Sequence, residues 1–345
     1  MIEIKSLNIL ADCTDWDRYV MMHDRGSVFH LSAWGRSVNK SMGHDYYYLY
    51  AEKDGTICGV LPLIHIKSRL FGNSLVSVAF SVGGGPLFDD PETLKLLDEH
   101  AKEIADDLAV DAMEYRQVQR CHDDWPIKAE TYSVFRKNLS ADNEENMLSI
   151  PRKQRAMVRK GINFGLTYDI DDTVDRLYHL YSTSVRNLGT PVFPKSLFKA
   201  LKDEFKDDCE ILTVCSPDGN AISSVMSFYF KNEIIPYYGG GGVDARTYAA
   251  NDFMYWSVME HAVTSRGVTL FDFGRSKNGT GAFNFKKNWG FDPTPLEYEY
   301  YLREGDEIPE VNPLNPKYQL MIKTWQKLPL AVANFVGPFI ARSLG

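Results

Sequence analysis

The stretch TLFDFGRSKNGTGAFNFKKNWG, residues 269–290, decides the fold of this 345-residue chain. Asp272 alternates with Phe271 and Phe273, so Thr269–Phe273 reads as a strand, closed by Gly274-Arg275. Upstream lie a helix from about Asp252 to Arg266, the glycines 239 to 242, and strands Ile234–Tyr238 and Ala221–Phe230. Before these come a turn at Asp218-Gly219, strand Ile211–Cys215, and helices over Lys195–Phe205 and Thr173 to about Val185.

The first half repeats this order. Strand Tyr46–Ala51 is followed by a turn at Asp54-Gly55, the apolar run Ile57–Ile66 and the cluster Gly83-Gly84-Gly85. A helix over Pro91–Leu108 carries Leu94, Leu97, Ala101, Ile104, Ala105 and Leu108 on one face, and strand Ala112–Arg116 closes the unit. The offsets are 164 residues for Asp-Gly, 156 for the glycine cluster and 159 for Arg116 against Arg275. A near-constant offset with unlike residues reads as a tandem duplication of one mixed α/β unit. Length points the same way, since single cores stop growing near ~250–300 residues. The expected domains are residues 1–148 and 149–345, with a tail over 311–345 packing back on the body. Ser140–Asn146 reads as the linker, and Ser149-Ile150-Pro151-Arg152 as a helix start. In the tail, Pro329, Gly337 and Pro338 are expected to break any single helix over Leu328–Leu344.

Composition narrows the function classes. Lys+Arg number 38 and Asp+Glu 46, a net charge of −8, which argues against a DNA-coating protein. The five cysteines lack C-x-x-C spacing, which implies reduced thiols and no structural zinc. No H-x-x-x-H or H-E-x-x-H occurs, so no metal is expected, and no G-x-S-x-G elbow is present. With no signal-peptide pattern and no long apolar run, a cytoplasmic protein is expected.

The string Phe271-Asp272-Phe273-Gly274-Arg275-Ser276, then Gly281, then Phe283 to Gly290, resembles the D-F-G-R-S … G … F-K-x-x-W-G signature of the FemAB-like (Fem-type peptidyl/aminoacyl transferase) family. Gly59-Val60-Leu61-Pro62-Leu63 and Gly83-Gly84-Gly85-Pro86 are in the same style. The tail, with Asn315-Pro316-Lys317-Tyr318, Trp325, Leu328-Pro329-Leu330 and Gly337-Pro338, resembles the subgroup associated with exosortase/PEP-CTERM exopolysaccharide systems. The resemblance implies two tandem GNAT-like acyltransferase domains and N-acyl or aminoacyl transfer to an amine of a cell-envelope or exopolysaccharide precursor. The long helical arm of some peptidoglycan-bridge members has no counterpart here.

Acyl transfer needs a polarised carbonyl, a deprotonated amine and a grip on phosphate. Arg275 follows a strand end, where α/β folds open their ligand crevice. Ser276 stands beside it, and Gly279 and Gly281 permit close backbone approach. The Phe285-Lys286 match implies that Lys286 stabilises charge on the donor or the tetrahedral intermediate, with Lys287 pointing elsewhere. The competing reading makes Arg275 a structural ion pair, Lys286 a solvated lysine, and Phe285 core. Asp272 is the candidate base, or else an ion-pair partner of Arg275. Tyr238 is a candidate proton donor or substrate contact, with sheet packing as its alternative.

Residues 152–160 hold five basic residues and no acid, and as a helix Arg152, Arg155 and Arg159 share a face. That face suits a pyrophosphate, a nucleotide-linked sugar or an RNA acceptor stem; otherwise it neutralises the acidic linker. Arg246-Thr247-Tyr248-Ala249-Ala250-Asn251 aligns with the loop that cradles the CoA pyrophosphate in acetyl-CoA-dependent relatives. Arg246 is kept but the glycines are absent, so the acetyl-CoA signal is weak, and Asn251 is expected to cap the helix.

No cofactor is required, and acyl-CoA or aminoacyl-tRNA is the expected donor class. The acceptor is an amine-bearing glycan or lipid-linked precursor. Lys323, Lys327 and Arg342 flank the apolar tail, which either touches the inner face of the membrane or packs on the protein's own core. The competing functions are an acetyl-CoA-dependent N-acetyltransferase and a silent binding module in envelope polysaccharide assembly.

Overall fold

One strand plan is built twice. In the first sheet Ile2–Leu7, Tyr46–Lys53, Thr56–Ser68 and Gly72–Ser77 are successive antiparallel neighbours, and Ala112–Tyr115 joins the last in parallel. In the second, Thr167–Ile170, Cys209–Cys215, Ala221–Phe230 and Glu233–Gly241 repeat the antiparallel run, and Leu270–Lys277 joins in parallel. A parallel neighbour needs a crossover, supplied by helix Pro91–Asp107 in one unit and Ala250–Arg266 in the other. This computed structural model describes residues 1–68, 71–303, 307–309 and 316–344.

Local chemistry explains the crossovers. Asp90 caps the first helix by accepting from Thr93 N at 2.8 Å, Pro91 sits where no N–H is needed, and Leu94, Leu97, Ala101 and Ala105 are buried. Helix Ala250–Arg266 is apolar on most sides, and packs into a core with Phe271, Phe273, Trp289 and Phe291.

The next strand of each sheet comes from elsewhere in the chain. Tyr298–Leu302 pairs with Ala112–Tyr115 in the first sheet, and Tyr132–Asn138 pairs with Leu270–Lys277 in the second. The structure therefore divides the chain differently from the expected cut at 148/149. One unit holds residues 1–131, the strand Tyr298–Leu302 and residues 339–344; the other holds Tyr132–Thr294 and residues 316–338. Linear order could not show which open edge a strand would join. The expected linker is also ordered. Helix Asn143–Ser149 is capped by Asp142, which accepts from Glu144 N at 2.8 Å, and buried Asn146 bonds both the N–H and the carbonyl of Ser140. Asp/Asn/Ser density here signals capping rather than a solvated connection.

The inserted strand anchors the first unit electrostatically. Glu299 is fully buried and accepts from the backbone N–H groups of Cys121 and His122 and from the Gln117 amide. His122 stacks on Trp125 at 4.0 Å, and its Nε2 lies 2.8 Å from Asp98 Oδ2. Burial alone would lower the His122 pKa, but the bonds to Asp98 and Glu299 outweigh it and raise it to about 9. The imidazolium's contribution to stability is thus complete below about 6.5 and lost as pH rises through 9. Thermal midpoints measured from pH 7 to 10 are expected to fall across that window, and His122→Asn to flatten the fall.

The tail departs from expectation. Leu330–Ala341 is one helix with Pro338 inside it, following helix Pro316–Gln326. A proline in the last turn removes one helical bond without ending the helix. The Asn312-Pro313 and Asn315 part of the tail pattern lies outside the described residues. Among the described residues no helix is long and apolar enough to cross a membrane, and no group of three His, Cys, Asp or Glu is placed to hold a metal. The five cysteines are unpaired.

Candidate active site

The motif strand Leu270–Lys277 holds its parallel neighbour only at Glu233–Leu270 and Ile234–Phe271. Beyond Phe271 the ladder to that neighbour stops, while the other edge stays paired with Tyr132–Asn138 as far as Lys277–Tyr132. A register shift between Asp272 and Arg275 bulges the strand there. Gly274 takes φ +68°, a left-handed turn that favours glycine, and its N–H donates to Asp272 Oδ1 at 2.7 Å.

The chain then turns through Gly279, at φ +75°, into helix Gly281–Asn288. Thr280 caps it, accepting from Phe283 N at 3.3 Å. The helix brings Lys286 back over the bulge, where Nζ donates to Gly274 O at 3.1 Å and Arg275 O at 3.0 Å. The rings of Phe135 and Phe273 each lie 5.6 Å from that ammonium. Burial lowers the Lys286 pKa to about 8, with Asp272 opposing and Arg275 adding to the fall. Lys286 is therefore half-buried and fixed, whereas Lys287 is exposed. A Cβ added at Gly281 would meet nothing within 4 Å, so the space above the cap is open.

Trp289 ties this piece to the basic helix. Its Nε1 donates to Asp252 Oδ1 at 3.1 Å, and the same oxygen accepts from the Gln154 amide. Asp252, Gln154 and Trp289 are all buried, so the Arg152–Asn163, Ala250–Arg266 and Gly281–Asn288 helices share one polar lock. Burial raises the Asp252 pKa, and both donors oppose that rise.

With Gln154 and Val158 facing inward, Arg152, Arg155 and Arg159 fall on the open side as expected. With Lys160, Asn163 and Phe164 they line an open hollow of about 530 Å³. The Phe164 ring meets Tyr248 edge-on at 5.3 Å, which places the hollow beside the Val243–Arg246 turn. Arg246 is exposed on that turn.

Several expectations change. Asp272 pairs with Arg136 at 2.7 Å, and its other oxygen holds Gly274 N. Both oxygens being engaged, Asp272 shapes the bulge and is not placed as a free base. Arg275 lies over the Tyr132 ring at 4.5 Å. Tyr238 is buried, 5.1 Å from Phe198 and 4.7 Å from Tyr237, and burial drives its pKa well above the phenol range. It is core packing rather than a substrate contact. Asn251 does not cap its helix; Ala249 occupies that position at φ +55° with no side-chain cap. Phe285 is part of an aromatic group with Tyr255, Phe273 and Trp289.

One group escaped the sequence reading. Burial pushes the Glu233 carboxyl up to about 7, with Arg136 opposing and Asp272 adding to the rise, and Glu233 lies 3.2 Å from Arg136 where the parallel ladder begins. An acid opening an apolar strand was the available signal. Ser276, though named in the motif, proves to be buried with an Oγ that has no hydrogen-bond partner among the described residues.

Comparisons with known proteins bear on the fold and on one matched segment. Residues 148–287 match the family model described as an acetyltransferase (GNAT) domain. The lipid II:glycine glycyltransferase of Staphylococcus epidermidis is 27% identical over 111 residues, 30% of this chain and 26% of that relative. The matched part thus spans about a quarter of the curated relative's length. Among solved structures, FemX has a TM-score of 0.67 at 17% identity, covering 93% of this chain and all of its own. A tandem GNAT protein from the clavulanic acid biosynthesis pathway scores 0.56 at 10% identity, covering 88% of this chain and 98% of its own. By fold the chain is built from two GNAT-like units, and a segment of it is similar to the lipid II:glycine glycyltransferase.

Proposed function

We propose that this protein is an acyltransferase moving an acyl or aminoacyl group from an activated donor to an amine of a cell-envelope precursor. The observation that carries the reading is the Lys286 ammonium, held by two backbone carbonyls where the motif strand leaves its parallel neighbour. In the reaction the amine nitrogen attacks the donor carbonyl and an N–C bond forms. The carbonyl π pair moves onto oxygen. That pair returns as the C–O or C–S bond to the carrier breaks, and the proton lost by the nitrogen ends on the carrier's released oxygen or sulfur. An ammonium fixed before the reaction stabilises the oxyanion without reorganising. The half-buried Arg275 and the Ser276 hydroxyl, which has no hydrogen-bond partner among the described residues, are further contacts for the donor.

The basic face of the Arg152–Asn163 helix is the proposed grip on the carrier's phosphates. An aminoacyl-tRNA fits it better than acetyl-CoA, because Ala249 places a Cβ on the left-handed turn beside the helix N-terminus, where CoA-binding loops have glycine. The relative's name, lipid II:glycine glycyltransferase, supports a lipid-linked amine as acceptor. The tail pattern narrows the proposal to an amino sugar of an exopolysaccharide repeat, at the inner face of the membrane.

Binding separates the donors. Calorimetry with acetyl-CoA is expected to show no micromolar site, whereas tRNA should bind with steep salt dependence. Arg152→Gln/Arg155→Gln/Arg159→Gln is expected to weaken tRNA at least ~10-fold and to make the log–log salt slope about two units shallower. Micromolar acetyl-CoA with salt-insensitive tRNA binding would reverse the donor assignment.

A further inference from the structure

The Leu330–Ala341 helix turns one row of small residues inward and its two phenylalanines outward. Ala333, Gly337 and Ala341 are buried. A Cβ on Gly337 would lie 3.0 Å from the Val192 backbone, and Asn334 donates to Ser182 Oγ at 3.3 Å. On the opposite face Val332, Phe335 and Phe339, spaced i, i+3, i+7, are 43%, 74% and 66% exposed. A helix that served only to close the fold would bury its phenylalanines and expose its alanines.

Charge marks what covers this face. From residue 316 to 344 the chain has Lys317, Lys323, Lys327 and Arg342 and no Asp or Glu, within a chain of net charge −8. Lys327 and Arg342 bracket the helix and are exposed. Twelve residues rise about 18 Å, too short to cross a bilayer but suited to lie along one. We propose that this helix seats the protein on an anionic lipid surface, with Phe335 and Phe339 in the headgroup–acyl boundary and Lys327 and Arg342 among the phosphates. A second copy of the chain is the poorer occupant, since like-charged flanks with no intervening acid would meet. The inference is independent of the transferase reading, because it is read by binding and not by turnover.

The test is co-sedimentation of the full chain with phosphatidylcholine vesicles that are roughly a third phosphatidylglycerol, against pure phosphatidylcholine. The anionic vesicles are expected to bind the protein. Phe335→Ser/Phe339→Ser should lower the partition coefficient at least ~10-fold, and Lys327→Gln/Arg342→Gln about fivefold per charge. Thermal melts should match the parent, since the four side chains are exposed; if the double serine variant misfolds, Phe335→Ser alone should give an intermediate loss. No binding by the parent, or undiminished binding by folded serine variants, overturns the proposal. So does vesicle-free self-association in light scattering that the serine changes abolish, which would assign the face to a second copy.

Discussion

Replacing Lys286 by methionine is expected to cut acyl transfer by ~100- to 1000-fold, with the thermal midpoint within a few degrees of the parent. The size follows from the cost of removing one preorganised oxyanion donor elsewhere. The fold is spared because the lysine's burial already disfavours its charge, as its lowered pKa shows. Methionine keeps the stem against Phe135 and Phe273. The same pKa sets a pH signature. The ammonium is present below about 8 and lost above it, so the rate should fall on the alkaline side near that value. Lys286→Arg keeps its cation far beyond this range, so any activity it retains should lack that falling limb. Initial rates from labelled aminoacyl-tRNA to a lipid-linked amine, across pH 6 to 10, test both. A Lys286→Met protein with parental rates would remove Lys286 from the chemistry.

The largest stability effect is expected at Trp289. Its side chain is fully buried, packed edge-on against Phe273 at 6.1 Å, and donates to buried Asp252. Trp289→Ala should cost ~3–5 kcal/mol through the lost ring and the cavity left behind. It also takes a donor from an Asp252 carboxylate that burial already disfavours. Trp289→Phe restores much of the volume but not the N–H, and should cost about half as much. Urea denaturation with linear extrapolation measures both. A loss below about 1 kcal/mol in the alanine variant would mean that the lock joining three helices is not what holds the motif helix in place.

The duplication is legible because each unit carries local punctuation: Asp-Gly turns, glycine clusters and a helix of clean 3.6 period. Helix Ser32–Met42 is not, since Ser, Gly and Asn blur its apolar stripe although Ala33, Trp34, Val38 and Met42 are buried. The candidate site is half legible. Lys286, Arg275 and the Arg152 face stand out by type and spacing. The Asp272–Arg136 pair joins residues 136 positions apart, and the Asp252–Gln154–Trp289 lock joins three separate helices. No local pattern encodes such long-range partners, so Asp272 read as a base from its neighbours alone. Likewise Tyr238 could not be told from a surface tyrosine until the rings of Phe198 and Tyr181 closed over it.

The late strand has a consequence for synthesis. When the ribosome has released residues 1–148, the first sheet still lacks Tyr298–Leu302, and Ala112–Tyr115 is a bare edge. Cys121, His122 and Gln117 then wait for a carboxylate that is some 150 residues from being made. The strand Tyr132–Asn138, already released, waits for its partner at Leu270–Lys277. The first half therefore emerges as a nascent chain with a sticky border and an imidazole held by Asp98 without Glu299, and completes its sheet only after the second half has been translated. A gene cut at the apparent midpoint would yield two incomplete sheets rather than two domains.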